Sequence, residues 1–319
     1  MTRAPSSSST PLNSAGAAEL TRRITGLSVI VAAILILAKT AAWMASGSVA
    51  LLASLADSGL DLVASLITFY AVRYAAEPPD AEHRFGHGKA EAFSSLVQGG
   101  LVFASAALVG QEAISHMIDP QPVRATGWAM AVMVLSILLT LALITAQSRV
   151  LKQTQSIAVS GDRAHYAADL ASNAAALAGI GAASLLGLAW LDAAAGLLVA
   201  LWLIWGAIGV FREASQQLMD HELPQAQRED ILRLMLADPR VAGVHQMRTR
   251  ASGPYLHVQL HADLSPDLTL EQAHEIVVAA EKRILDAYPA ADIIIHPDPG
   301  DRAEPHGGAF GEAADGEGR

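Results

Sequence analysis

Two pairs of possible metal ligands stand four residues apart within stretches that are otherwise apolar. Asp57 and Asp61 lie in SLADSGLDLVAS, and His165 and Asp169 lie in AHYAADLASN. Residues four apart share one face of a helix, so each pair would present its two side chains together. A carboxylate at the centre of a bilayer costs about 2.5–3.5 kcal/mol even on insertion scales. Two carboxylates on one face also repel each other unless they are protonated or bind a cation.

Each pair has a structural alternative: two solvated aspartates near a helix end, or a hydrogen-bonded interior histidine. Asp57, however, falls near the middle of its apolar segment, and His165 is followed by Asp169 at the matching spacing. Three carboxylates and one imidazole form a four-coordinate shell that suits Zn²⁺, while the oxygen ligands leave Fe²⁺, Mn²⁺ and Cd²⁺ open. Ligands must lose protons to hold a metal, so metal binding would expel protons. An imidazole, whose ordinary pKa is about 6.5, suits that exchange.

The chain as a whole has the composition of a membrane protein. It has 319 residues, of which 52% are hydrophobic and 16% charged, with a mean hydropathy of +0.34. The absence of cysteine excludes disulfides and thiolate metal sites. The net charge of −10, without a basic cluster, gives no indication of nucleic-acid binding. No P-loop, HExxH or GxSxG motif is present, so nothing indicates ATP hydrolysis or peptide and ester cleavage, and our first expectation is a protein that is not an enzyme.

Six segments are long and apolar enough to cross a bilayer, which takes about 20 residues per helix. They are Ile24–Met44, Val49–Val72, Ala92–Ile118, Gly127–Ala146, Ile157–Leu186 and Asp192–Val210. Basic residues flank one set of connections, namely Arg22, Arg23, Arg73, Arg84, Lys89, Arg149, Lys152 and Arg212. The opposite connections contain only Arg124. The positive-inside rule therefore predicts cytoplasmic N- and C-termini for a multi-pass protein of the inner (plasma) membrane.

After Ala214 charged residues become frequent and the periodicity changes. EDILRLMLA and LEQAHEIVVAAEKRILDAY have the spacing of helices, HQMRTR and YLHVQLHADL alternate like strands, and ADIIIHPD is typical of a short buried strand. We therefore predict a polytopic α-helical membrane protein with six transmembrane helices and a C-terminal cytoplasmic α+β domain of order α-β-β-α-β. The predicted boundaries are a disordered tail over 1–22, the helices over 23–215, the α/β domain over 216–300 and a disordered tail over 301–319.

Further histidines and aspartates cluster outside the apolar segments. PPDAEHRFGHGKAE, after the second segment, contains Asp80, His83 and His87 within eight residues. A polar loop with incidental histidines is the alternative there. The C-terminal domain contains His245, His257, His261, His274 and His296, together with Asp298. In HVQLH the period-two rule places the two histidines on one face of a strand.

Taken together, these motifs resemble the cation diffusion facilitator family, in particular its bacterial zinc and ferrous-iron efflux pumps. The resemblance covers about residues 24–299 and rests on the two ligand pairs, HRFGHGKAE and IIIHPD, in that order. It implies a homodimer whose protomers export a divalent metal in exchange for protons by alternating access. Zn²⁺ is the metal expected first, with Fe²⁺ or Cd²⁺ as alternatives. Members with this ligand set are mostly zinc transporters, whereas manganese types usually have Asp or Asn in place of the histidine.

The resemblance also implies roles for individual residues. The transported ion would bind Asp57, Asp61, His165 and Asp169, and a loop site would consist of Asp80, His83 and His87. A two-metal site joining the protomers would consist of His245, His261, His274, His296 and a bridging Asp298. Lys89 and Asp220 correspond to an interlock near the dimer interface. His257 has no counterpart in the family pattern, and Pro297 stands where a polar residue is expected.

Two other charges lie in the predicted spans. Lys39 is expected to face a polar cavity or to snorkel, because an ammonium group is not a metal ligand. Arg163 would snorkel toward the cytoplasm or repel cations. Two rival functions also stay open: an intramembrane metalloenzyme that activates water on Zn²⁺, although neither motif supplies an additional base, and a membrane metal receptor that does not transport.

Overall fold

The computed structural model describes residues 14–46, 49–118, 127–186 and 190–300. Within these ranges the chain forms eight helices and three strands. The helices are α1 (Ser14–Ser46), α2 (Val49–Ala75), α3 (Ala90–Ile118), α4 (Gly127–Thr154), α5 (Ile157–Leu186), α6 (Trp190–Leu218), α7 (Gln225–Met235) and α8 (Leu270–Ala287). The strands are β1 (Gly243–Ser252), β2 (Tyr255–Leu264) and β3 (Ala291–Pro299). The chain divides into two compact units between Ser215 and Gln216.

Long apolar helices make up the first unit. Among the described residues, five helical segments are long and apolar enough to cross a membrane: Gly16–Ala45, Ser54–Ala75, Ala90–Ile118, Met130–Thr154 and Ala193–Leu218. Helix α5 has the bounds predicted for the fifth span but is less apolar than these five. Its sequence contains Asp162, Arg163 and Asp169, which lower its hydropathy. The helical membrane fold is confirmed, and its least apolar helix contains one of the two predicted ligand pairs.

Helix α1 begins ten residues earlier than the predicted span. Residues 14–22, which we expected to belong to a disordered tail, are helical because SAGAAELTRR consists largely of good helix formers. An ion pair between Arg23 Nε and Glu19 Oε1, 2.6 Å apart, adds one i, i+4 contact to this turn. Residues 1–13, Arg124 and the predicted tail over 301–319 lie outside the described residues.

Helix α5 packs against α3 and α4, and α1 packs against α2 and α4. One apolar cluster joins Val31 and Leu35 of α1 to Leu143 of α4 and Tyr166 of α5. Helix α5 comes close to α3 at Gly161, where an added Cβ would lie 2.9 Å from Ser95 Oγ and 3.1 Å from Ser95 Cα. The absence of a side chain at this position therefore lets the two helices touch one turn before His165.

The second unit has the predicted order α-β-β-α-β, which confirms the α+β assignment. Strand β2 lies at the centre of the sheet, antiparallel to β1 and parallel to β3, with α8 as the crossover. Helix α8 begins at a capping box, in which the Thr269 hydroxyl accepts from Gln272 N and the Gln272 side chain accepts from Thr269 N. Side chains from α7, α8 and one face of the sheet form the core: Ile231, Met235, Val258, Leu260, Ala262, Ile276, Ala280, Ile284 and Ile295.

Strand alternation leaves the other face of the sheet polar. Val258, Leu260 and Ala262 of β2 are buried in the core, so His257, His261 and Asp263 point to the opposite face. The register places His261 between His245 of β1 and His296 of β3. One row across the open face of the sheet is therefore made of three histidines.

Candidate metal centres

A buried cluster of three side chains lies between α2 and α5. His165 Nε2 is 3.1 Å from Asp61 Oδ1 and 3.8 Å from Asp169 Oδ2. His165 is 3% exposed and Asp61 7%. All three residues offer a ligand atom within 4.8 Å of the other two. Among the described residues no donor forms a hydrogen bond with Asp169 Oδ2, which is a buried oxygen atom. This oxygen is therefore available to coordinate a cation.

Asp57, the fourth predicted ligand, lies outside this group of three. It is one helical turn before Asp61, and its side chain is exposed rather than buried. Its carboxylate still interacts electrostatically with Asp61 and His165. Helix geometry explains the difference, because side chains four residues apart share a face but lie at different heights along the axis.

Asp162, which the sequence analysis did not single out, is the centre of a second buried polar group. It is 0% exposed, and its Oδ2 accepts from Ser28 Oγ at 2.7 Å and from Gln147 Nε2 at 2.8 Å. Gln98 Nε2 donates to Asp162 Oδ1 at 3.4 Å. These contacts join α5 to α1, α4 and α3. Asp162 precedes His165 by three residues, so the network fixes the helix face from which the ligands project.

The first turn of α5 is held by a second carboxylate. Glu91 of α3 is 4% exposed, and its Oε2 accepts from Ser156 Oγ at 2.5 Å and from Ala158 N at 3.5 Å. A carboxylate at a helix N-terminus satisfies donors that have no partner within the helix and opposes the positive end of its dipole. The position of α5 is therefore set by polar contacts at its start and again at Asp162.

The loop between α2 and α3 brings together Asp80, His83 and His87. Asp80 Oδ2 is 3.2 Å from His87 Nε2, and Asp80 Oδ1 is 3.5 Å from His83 Nδ1. The backbone N–H of His83 donates to Asp80 Oδ1 at 2.6 Å, and this bond holds the pKa of the carboxyl below its ordinary value. Gly86 adopts a φ of 79°, which allows the tight turn between the two histidines. Asp80 and His83 are exposed, whereas His87 is buried.

The open face of the sheet brings together His245, His261 and Asp298. Asp298 Oδ2 is 2.8 Å from His261 Nδ1 and 3.5 Å from His245 Nε2. Asp298 Oδ1 is 3.2 Å from His296 Nε2. The two carboxylate oxygens therefore face different histidines, which is the arrangement that a bridging ligand requires.

A bulge in β1 sets the position of His245. The pairing shifts between His245 and Arg248, and Gln246 has a positive φ of 49°. A bulge of this kind re-aims the side chains around it. Asp263 Oδ1 lies 3.8 Å from His245 Nδ1, so Asp263 is a further carboxylate beside the cluster that the sequence analysis missed. Its signal was the period-two spacing from His261.

Two histidines of the second unit lie away from this cluster. His274 is exposed on α8, and α8 covers the core face of the sheet, so within one chain it cannot reach the open face. Its predicted place in the two-metal site, which was expected to join the protomers, stays a prediction. His257 is on the open face but contacts Asp292, with Nδ1 3.1 Å from Oδ2.

Lys89 and Asp220, the predicted interlock, belong to different units of the chain. Within the second unit, Asp220 Oδ2 accepts from Arg250 Nη1 at 3.0 Å. The interlock stays a prediction.

Comparison with known proteins identifies the family. Residues 26–219 match the model of the cation efflux transmembrane domain, and residues 223–300 match that of the cation efflux protein cytoplasmic domain. A solved structure of a zinc transporter, CzrB, in its Zn form is 26% identical, with a TM-score of 0.25, over 27% of this chain and 98% of that chain.

Curated relatives are similar over most of their length. The cation-efflux pump FieF of Klebsiella pneumoniae subsp. pneumoniae is 40% identical over 273 residues, which are 84% of this chain and 89% of that protein. FieF of Cronobacter sakazakii is 41% identical over 270 residues, which are 85% and 90% of the two chains. Both family models and these relatives describe multi-pass transport proteins and not enzymes. The chain belongs to the cation efflux family.

Proposed function

We propose that this cation efflux protein exports Zn²⁺ in exchange for protons, and that Asp61, His165 and Asp169 bind the transported ion. The observation that supports this most directly is the burial of Asp61 and His165 between α2 and α5, with His165 Nε2 3.1 Å from Asp61 Oδ1 and 3.8 Å from the half-buried Asp169. Asp57, one turn away and within electrostatic range, is proposed as the fourth ligand. A side-chain rotation or a small tilt of α2 would be needed to bring it in.

The chemistry of the donors supports zinc. One imidazole nitrogen and carboxylate oxygens suit the tetrahedral preference of Zn²⁺, and Fe²⁺ or Cd²⁺ could use the same set. His165 Nε2 and Asp61 Oδ1 would both have to be free of a shared proton before an ion could bind them. The site would then lose protons when it binds the metal and take up protons when it releases the metal. This exchange would couple metal export to the proton gradient.

Alternating access would follow if metal-loaded and proton-loaded forms prefer different packings of α2 and α5. We further propose that the loop cluster and the open-face cluster bind resident metal ions, and that the protein is a homodimer. In a homodimer His274 could approach an open-face cluster only from a second copy, because α8 covers the opposite face within its own chain. Cytoplasmic termini in the inner membrane remain our proposal for its orientation.

The test is metal flux in proteoliposomes with an imposed pH gradient and Zn²⁺, Fe²⁺, Cd²⁺ and Mn²⁺ in competition. We expect Zn²⁺ to give the highest flux, and we expect Asp61→Ala to abolish metal-driven proton movement while the protein still inserts and dimerises. Glu112→Ala, which removes an exposed carboxylate of α3, is the matched control and should leave the flux unchanged.

Three results would contradict the proposal. Wild-type flux in Asp61→Ala would remove the buried cluster from the transport path. Metal binding without flux in the wild type would favour a receptor, and product formation from a hydrolysable substrate without flux would favour a metalloenzyme.

A further inference from the structure

The buried cluster has a positively charged neighbour on α1. Lys39 is 6% exposed, and its Nζ donates to Ser58 Oγ at 2.6 Å and to Ser54 O at 3.0 Å. Both acceptors belong to α2, in the turns that hold Asp57 and Asp61. Lys39 is therefore bound to the segment that presents the acidic pair.

Lys39 does not snorkel. It lies seven residues before the end of α1 at Ser46, which is about 10 Å along the helix axis. A lysine that snorkels would extend its ammonium group to the water boundary, whereas this ammonium group is turned inward onto α2. Keeping a charge at this depth is costly, so a role in transport is a better explanation than packing alone.

The charge of Lys39 acts on the proposed ion site. It interacts through space with the carboxylates of Asp57 and Asp169. Three ionised aspartates carry three negative charges, and Lys39 supplies one positive charge beside them. When His165 is neutral, the net charge of these groups is −2. One divalent cation neutralises it.

We propose that Lys39 is a tethered counter-cation that matches the charge of the transport site to a single divalent ion and weakens its binding enough for release. This inference rests on the proposed function of the buried cluster. Lys39 is not itself a ligand, because an ammonium group has no lone pair. It acts on affinity through electrostatic repulsion, which is strong in a buried site where the effective dielectric constant is low.

Removal of the Lys39 charge should change the Zn²⁺ affinity in an unusual direction. Removing a buried interaction usually weakens binding, whereas removing a cation beside a cation site should strengthen it. We expect Lys39→Met and Lys39→Gln to bind Zn²⁺ about tenfold more tightly or better than the parent chain. Gln can still donate to Ser58, so it separates the charge from the hydrogen bond. Lys39→Arg keeps the charge and should stay within about threefold of the parent.

The measurement is Zn²⁺ titration calorimetry on the full chain in detergent, with His83→Ala and His261→Ala present in every variant so that the other two clusters bind Zn²⁺ more weakly. Lys152→Met, which removes an exposed lysine at the end of α4, is the matched control and should not change the affinity. In proteoliposomes the two charge-neutral variants should show a lower KM for Zn²⁺ together with a lower kcat, because release becomes slower.

Unchanged or weaker Zn²⁺ binding in both Lys39→Met and Lys39→Gln would overturn the role of Lys39. Misfolding of a variant would weaken Zn²⁺ binding, whereas the proposal predicts tighter binding. Misfolding therefore cannot produce the result that supports the proposal. Failure of the proposed function has a different signature: the parent chain itself would then bind no Zn²⁺ that is lost in Asp61→Ala.

Discussion

The buried cluster of the helical unit and the open-face cluster of the sheet use the same side-chain types but are assembled in different ways. Asp61 and His165 are 104 residues apart in sequence and meet only because α2 and α5 pack together. His261 and Asp298 come from neighbouring, paired strands. The first cluster therefore depends on helix packing, which can change, and the second depends on strand register, which cannot shift without disrupting the core.

Polar support differs in the same way. Side chains from α1, α3 and α4 surround Asp162, one turn from His165, and fix α5 by hydrogen bonds. The open-face cluster rests on an apolar core on the other side of the sheet. The proposed transport site is therefore held by buried hydrogen bonds between helices, and the proposed resident site by a packed sheet.

The largest expected difference is in flux. His165→Ala should reduce Zn²⁺ flux more than 100-fold, because it removes the one imidazole of the buried cluster, whereas His261→Ala should retain at least half of the wild-type flux at saturating Zn²⁺. Both are measured in proteoliposomes at equal protein density. Equal losses of flux in the two variants would show that both clusters are needed for transport, and would contradict the difference in role drawn between them.

Asp162→Ala is expected to destabilise the helical unit by about 2–4 kcal/mol, because Ser28 and Gln147 lose their buried acceptor. Glu112→Ala removes an exposed carboxylate of α3 and should change the unfolding free energy by less than about 0.5 kcal/mol. Denaturant unfolding of the purified chain in detergent provides the measurement. A similar, small effect for both variants would mean that Asp162 does not hold α5 in place.

At the open face, His261→Ala should weaken Zn²⁺ binding about tenfold, because His261 Nδ1 lies 2.8 Å from the central carboxylate of Asp298. His257→Ala is the control from the same face of β2 and should leave the affinity unchanged. Calorimetry is carried out on the full chain with Asp61→Ala and His83→Ala present to disable the other clusters. Unchanged affinity in His261→Ala would remove this histidine from the ligand set.

The smallest effect concerns the scaffold of the second unit. Two hydrogen bonds from the Arg240 side chain and one from its backbone lower the pKa of Asp238 to about 2. The ordinary pKa is about 3.9, so this stabilisation is present above pH 4 and is lost as the pH falls toward 2. Because Arg240 is about half exposed, we expect Asp238→Asn to cost only about 1 kcal/mol at pH 7.

Hydrogen exchange of residues 225–252 in the full chain measures this effect. The difference between Asp238→Asn and the wild type should disappear near pH 2. A difference that persists there would mean that the Asp238 charge is not its cause. Unchanged Zn²⁺ binding in Asp238→Asn would sharpen the comparison, by separating the stability of the sheet unit from its metal cluster.

Local sequence patterns predicted the helices, the α-β-β-α-β order and the spacing of both ligand pairs, because each depends on residues a few positions apart. They did not predict Asp162, whose partners Ser28, Gln98 and Gln147 lie on three other helices. They also did not predict which face of the sheet α8 covers, and hence that His274 lies away from the open-face cluster of its own chain. The spacing of Asp162, His165 and Asp169 at i, i+3 and i+7 places all three on one helix face and could have indicated Asp162. The sequence analysis considered only pairs of ligands four residues apart.

The contact at Gly161 bears on how access to the ion could alternate. Two packed helices that approach closely at a glycine can rock about that position, and their distant ends then move the most. Gly161 is four residues before His165, about 6 Å along the axis of α5. Rotation of α5 about Gly161 would move the His165 imidazole little and the far end of the helix much more. Under the proposed alternating access, the ion would then stay bound while the opening to water moves from one side of the membrane to the other.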